Sequence, residues 1–140
     1  MKGLCIIMSL ICSMLFIMPG PYVHAVANPA DCSIDQGPCT KSVGNREVIF
    51  DISPKPVKAM KEVTFIVHVI GRNVAPTLLL DLSMPGMYMG RNEVVLKKRP
   101  DGKYAGKGIL PRCPSGKQLW QAEIDIPGTG KVSFRFNVAY

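Results

Sequence analysis

Three methionines fall within the stretch "MPGMYMG" at positions 84–90: Met84, Met87 and Met89. Pro85 and Gly86 interrupt any strand or helix that would otherwise absorb them. Two kinds of chemistry suit such a turn. Methionine is flexible enough to fill irregular gaps at the lip of a packed β-structure. Its thioether is also a soft, neutral ligand that selects Cu(I) over Zn(II) and the hard cations. Cys113 bears on the choice. As a thiolate it would strengthen a soft site, whereas in a disulfide it would be inert.

The elements around these residues read as strands. "REVIFDIS" (46–53), "EVTFIVHVI" (62–70), "TLLLDLS" (77–83), "KQLWQAEIDI" (117–126) and "KVSFRFNV" (131–138) place apolar residues on one face with a period of two. "NEVVLKKR" (92–99) has the charge of an edge strand, and "GKYAGKGIL" (102–110) is rich in glycine. No stretch after the N-terminal apolar run shows helical periodicity. Seven short strands separated by Pro and Gly predict an all-β fold, an antiparallel immunoglobulin-like β-sandwich over 46–140. The polar segment 28–45, with Cys32 and Cys39, reads as an irregular arm ahead of it.

Residues 1–27 have another character. Lys2 precedes an apolar run from Leu4 to Met18, which ends at Pro19, Gly20 and Pro21 and is followed by "VHAVAN". This is the pattern of a secretory signal peptide cut after Ala25 or Ala27, with a retained N-terminal anchor as the alternative. The run of about 15 residues is short of the roughly 20 that span a bilayer. Either way the folded part is expected to be exported, periplasmic or extracellular. Lys2 is the only formal charge in this segment, so its removal lowers the net charge from +7 to +6. The cations are scattered along the chain, apart from "KKR" at 97–99, and few aromatics lie among them. They read as a solvated surface, with no nucleic-acid partner and no small-molecule substrate.

Export leaves Cys32, Cys39 and Cys113. Thiols outside the cytoplasm tend to oxidise, so one bridge and one leftover sulfur are expected. A short loop is cheap to close, which favours Cys32–Cys39. Cys39–Cys113 and Cys32–Cys113 stay open as alternatives. Four cysteines at zinc spacing are missing. So are a thiol-oxidoreductase C-x-x-C and a phosphate loop. His68 has no acid and nucleophile in a recognisable relay. The chain therefore reads as a non-enzyme.

Strand parity gives the methionines a location. If seven strands run alternately up and down, the loops 54–61, 84–91 and 111–116 lie at one end. They hold Met60, the three methionines of the turn, and Cys113. Met84 continues the Leu78, Leu80, Leu82 face and reads first as core. Met60 reads as a loop plug. Met87 and Met89 flank Tyr88 and point the same way, so they are the stronger ligand candidates. His68 sits about six residues past Glu62, roughly 20 Å from that end at 3.3 Å per residue, and faces away from the apolar set. It is not a co-ligand.

The order of these elements also resembles the YtkA-like domain family. "DLSMPGMYMGRNEVVL", then "GKYAGKGILPRCPSGKQLWQAEI", then the closing "KVSFRFNV" reproduce its scheme of Met-Gly-Met turn, Gly-Tyr strand, Trp-bearing strand and final strand, over roughly residues 46–139. The resemblance implies an exported or membrane-tethered β-sandwich without enzyme chemistry, and roles in copper handling or respiratory oxidase assembly. Together the readings predict a module that binds copper as Cu(I) through Met84, Met87, Met89 and Cys113. The alternative is a metal-free scaffold that docks on a membrane or respiratory protein partner.

Overall fold

The computed structural model describes residues 29–140, so the signal-peptide reading of 1–27 lies outside the described residues. Eight antiparallel strands form the fold: β1 (Cys39–Val43), β2 (Arg46–Ser53), β3 (Glu62–Ile70), β4 (Thr77–Ser83), β5 (Glu93–Lys98), β6 (Tyr104–Ile109), β7 (Leu119–Ile126) and β8 (Gly130–Asn137). No helix occurs among the described residues. The strands form one hydrogen-bonded sheet in the order β1-β2-β3-β6-β5-β4-β7-β8.

The described residues are all-β and antiparallel, as expected, and all seven expected strands are present among them. Two features correct the expected sandwich. The ladder from Thr77↔Lys97 to Asp81↔Glu93 joins β4 to β5, and β5 pairs with β6, so the strands form one continuous sheet in place of two. The 28–45 arm is not irregular throughout, because Cys39–Val43 pairs with Arg46–Phe50 as an eighth strand. Its sequence, "CTKSV", concealed it. Only Cys39, Lys41 and Val43 are half-buried, and the central one is a lysine with a polar task.

That task is closure. The sheet curls until its two terminal strands approach, and the aromatic core spans the interior. Phe50 of β2 stacks on Phe134 of β8 with centroids 5.1 Å apart, and Phe136 and Phe65 flank the same ring at 5.8 and 6.5 Å. No ladder joins β1 to β8. Polar groups bridge the seam. The Lys41 ammonium donates to the Ser133 carbonyl at 2.6 Å, pairs with Asp31 and lies 5.3 Å over the Phe134 ring. The Asp31 and Cys32 N–H groups donate to the Arg135 carbonyl, while Arg135 N–H donates back to the Asp31 carboxylate. A Cys32–Cys39 disulfide ties this seam segment to β1 and leaves Cys113 free. Of the three pairings open in the sequence, the short loop prevails.

The glycines of β6 are needed by packing. A Cβ on Gly106 would lie 2.7 Å from the Val95 carbonyl oxygen and 2.8 Å from Val94 Cγ1. Gly108 faces Phe65 and Val94 at 3.0 Å. Here β5 and β6 cross closely where the sheet bends.

Two outcomes follow. Gly106→Ala should destabilise the fold by roughly 1–3 kcal/mol, the usual cost of overpacking a filled site. Replacing Cys32 and Cys39 together with Ser should cost about 2–3 kcal/mol through the freed unfolded chain. Urea midpoints measure both.

Candidate functional site: facing sulfur turns at one pole

Backbone pairing builds the site. β4 and β7 are antiparallel partners from Leu79↔Asp125 to Ser83↔Gln121. The chain leaving β4 and the chain entering β7 therefore emerge at the same end. Each makes a proline turn there. In the first, Met87 N–H donates to the Met84 carbonyl at 3.0 Å across Pro85 and Gly86. Gly86 has φ 75°, as the third position of a type II turn requires. In the second, Gly116 N–H donates to the Cys113 carbonyl at 3.0 Å across Pro114 and Ser115.

The two turns meet through sulfur. Cys113 Sγ lies 3.5 Å from Met87 Sδ and 3.0 Å from Ser115 Oγ. Cys113 is only 1% exposed. Met84 is buried at 2%, continuing the Leu78, Leu80, Leu82 face. Met87 and Met89 are half-buried against the core, while Tyr88 between them is 94% exposed. The strand-like alternation thus persists past the turn and sends both thioethers inward.

Met60 shares the pole, since its N–H donates to the Leu110 carbonyl at 2.8 Å. It is no plug, however. At φ 63° the backbone turns its side chain outward, and it is 63% exposed. His68 pairs with Ile49 far along β3, away from Glu62 and its partner Ile109. It lines a separate surface depression with Ile49, Asp51 and Lys103.

Two residues were not singled out in the sequence. Ser115 contacts the thiol, and the signal was the "CPSG" turn, which returns a side chain two positions on towards Cys113. Tyr140 carried no signal. Its hydroxyl accepts from Cys113 N–H at 3.3 Å and donates to the Lys117 carbonyl, and its ring lies 5.3 Å beneath the Arg112 guanidinium. The last residue thereby clasps the Cys113 turn.

The surroundings tune the thiol. The Ser115 hydroxyl lowers the Cys113 pKa most, burial opposes it, and the Ser115 and Lys117 backbone and the Lys117 charge lower it further. The net direction is downward. A thiol with a lowered pKa beside the Met87 thioether can donate to a soft cation. Cys113 and Met87 are the two side chains that would hold such an ion. No group of three or more His, Cys, Asp or Glu side chains gathers among the described residues. The set is weighted towards sulfur.

No family model, curated protein or solved structure matches the chain.

The depressed thiol gives a pH signature in the reduced, metal-free protein. The fold favours the thiolate, so stability should rise with pH from the folded pKa towards the ordinary thiol value of about 8.5 and fall again on acidification. Cys113→Ser should flatten that slope. Ser115→Ala should raise the pH at which ultraviolet thiolate absorbance appears.

Proposed function

We propose that the chain is an exported, non-catalytic module that binds Cu(I) at the sulfur pole, serving metal handling or oxidase assembly. The observation that carries this reading is the 3.5 Å approach of Cys113 Sγ to Met87 Sδ. Cys113 and Met87 would hold the ion, and Met84 and Met89 lie on the same segment as Met87. Bound there, copper supplies an exchangeable soft cation and no bond-making chemistry of its own. Ser115 and the backbone at 115–117 favour the charged thiolate that such an ion needs. The flanking β-turns hold the two sulfurs facing each other before any ligand arrives.

Export is supported by the 1–27 pattern and by the Cys32–Cys39 disulfide, which suits an oxidising compartment. Kinship with the YtkA-like family belongs to the same proposal. If the strand order is divided at the β4–β5 ladder, the groups β2-β3-β6-β5 and β4-β7-β8 remain. These are the strand neighbours of an immunoglobulin constant-type domain, with β1 as an addition.

A second reading is favoured by Tyr88, a large aromatic almost wholly in solvent just past the turn. It makes the domain a metal-free scaffold docked on a membrane or respiratory protein. Tyr88→Ser would then abolish copurification with a partner in metal-free buffer and leave Cu(I) affinity alone.

Titration with Cu(I) against a competing chelator under reducing, anaerobic conditions tests the copper reading. Met87→Leu and Cys113→Ser should each weaken binding at least tenfold, about 1.4 kcal/mol. Unchanged affinity after joint replacement of Met84, Met87, Met89 and Cys113 rejects it.

A further inference from the structure

The sequence scatters its cations, and the fold collects them. The three loops of the sulfur pole, 54–61, 84–92 and 110–118, contain Lys55, Lys58, Lys61, Arg91, Arg112 and Lys117 against no acid of their own; the acids beside them are Asp35, whose carboxylate accepts from Val57 N–H, and Glu62 and Glu93, which open the next strands. The loops are physically joined there. Besides the Met60–Leu110 bond, Ala59 N–H donates to the Ala139 carbonyl and Val138 N–H to the Gln118 carbonyl. The connections 71–76 and 99–103 at the other pole hold fewer cations, Arg72, Arg99 and Lys103, with Asp101 among them.

Part of this charge is already engaged. Lys55 binds Asp51 and the Ile34 carbonyl, and Arg91 lies 3.7 Å from Glu93. Lys58, Lys61, Arg112 and Lys117 make no ion pair among the described residues. The same loops expose Met60 and Tyr88. Aromatic residues, Met and Arg are the types enriched where proteins bind proteins. Unpaired cations around them set the sign of the partner.

We propose that the sulfur pole is the docking face for an acidic protein surface, with Met60 and Tyr88 as apolar anchors and Lys58, Lys61, Arg112 and Lys117 as the charged rim. The choice of a protein over an anionic bilayer rests on the copper reading. A soft ion held at Cys113 and Met87 leaves for other soft donors, and lipid headgroups offer hard phosphate oxygen in their place. The docking itself needs no metal.

The test uses metal-free protein and two short synthetic peptides, one alternating Asp, Glu and Met, the other with Asn and Gln in place of the acids. At low salt the acidic peptide should bind at least tenfold more tightly, and the difference should fade as salt shortens the Debye length below about 4 Å. NMR signals of the Met60 methyl and the Tyr88 ring should shift. K58E/K61E/K117E should reduce the acidic peptide to the affinity of its amide counterpart. Equal binding of the two peptides, or shifts confined to the opposite pole, overturns the proposal. So does binding to phosphatidylserine vesicles, through the same cations, when the acidic peptide does not bind. The Cu(I) titration is run separately, so failure of the copper reading and failure of the docking face are told apart.

Discussion

The pairing of β4 with β7 is the constraint on which the site depends. It holds two proline turns at one end of one ladder, although 26 residues separate Cys113 from Met87. Neither turn makes a sulfur pair by itself. Each is a local structure governed by Pro at its second position and by glycine where the backbone needs it. The ladder aims them at each other. Because the strands are antiparallel, any residue just after β4 must lie near any residue just before β7. The buried face beneath, Leu80 and Leu82 on β4 with Ala122 and Ile124 on β7, fixes the register, since a slip by one residue would turn those side chains to solvent.

Closure of the sheet depends on close approach at one place and on polar chemistry at another. Where β5 and β6 cross, glycine removes the side chains that would keep the backbones apart. At the β1–β8 seam, side chains perform what a ladder would otherwise do. Lys41 spans the gap to Ser133, and Asp31 satisfies both ends of the Arg135 backbone. The disulfide anchors the 31–32 segment so that these bonds persist. An edge strand with free N–H and C=O groups invites pairing with other chains, and the seam residues cover part of that edge on β8. Inside, Trp120 Nε1 and Arg46 Nη1 are buried without hydrogen-bond partners among the described residues, a cost of about 1–3 kcal/mol each that nothing in the structure explains.

At the sulfur pole, burial and charge act at different depths. The sulfurs sit just below the surface, where the thiol is shielded from bulk water and its ionisation is set by Ser115 and the Lys117 turn. The cations stand outside on the same loops. Of these charges only Lys117 acts on the thiol, and it does so after the Ser115 hydroxyl and the neighbouring backbone. Tyr140 links the layers, since its hydroxyl fixes the Cys113 backbone while its ring supports Arg112.

Much of this was legible in the chain. Period-two alternation located five of the strands because half-buried strands must alternate, and charge and turn residues marked out two more. Parity alone placed Met60, Met87 and Cys113 at one end, because antiparallel neighbours cannot exchange their ends. That Met87 and Met89 share a direction opposite Tyr88 followed from the same alternation, and the structure turned that direction inward. What the chain could not disclose depends on contacts between segments distant in sequence. "CTKSV" looked irregular because the lysine at its centre is satisfied by Asp31 and Ser133, far away along the chain. The seven strands did not reveal that β4 and β5 would join two expected sheets into one, since hydrophobic pattern sets which face is buried and not which neighbour is paired. Six cations looked dispersed because charge patterning was read along the chain, while the field they make is summed in space. Residue types and periodicity therefore determined seven of the eight strands and the sulfur side chains by themselves. Only the tertiary structure decided their neighbours, because pairing and electrostatics act through distance in three dimensions.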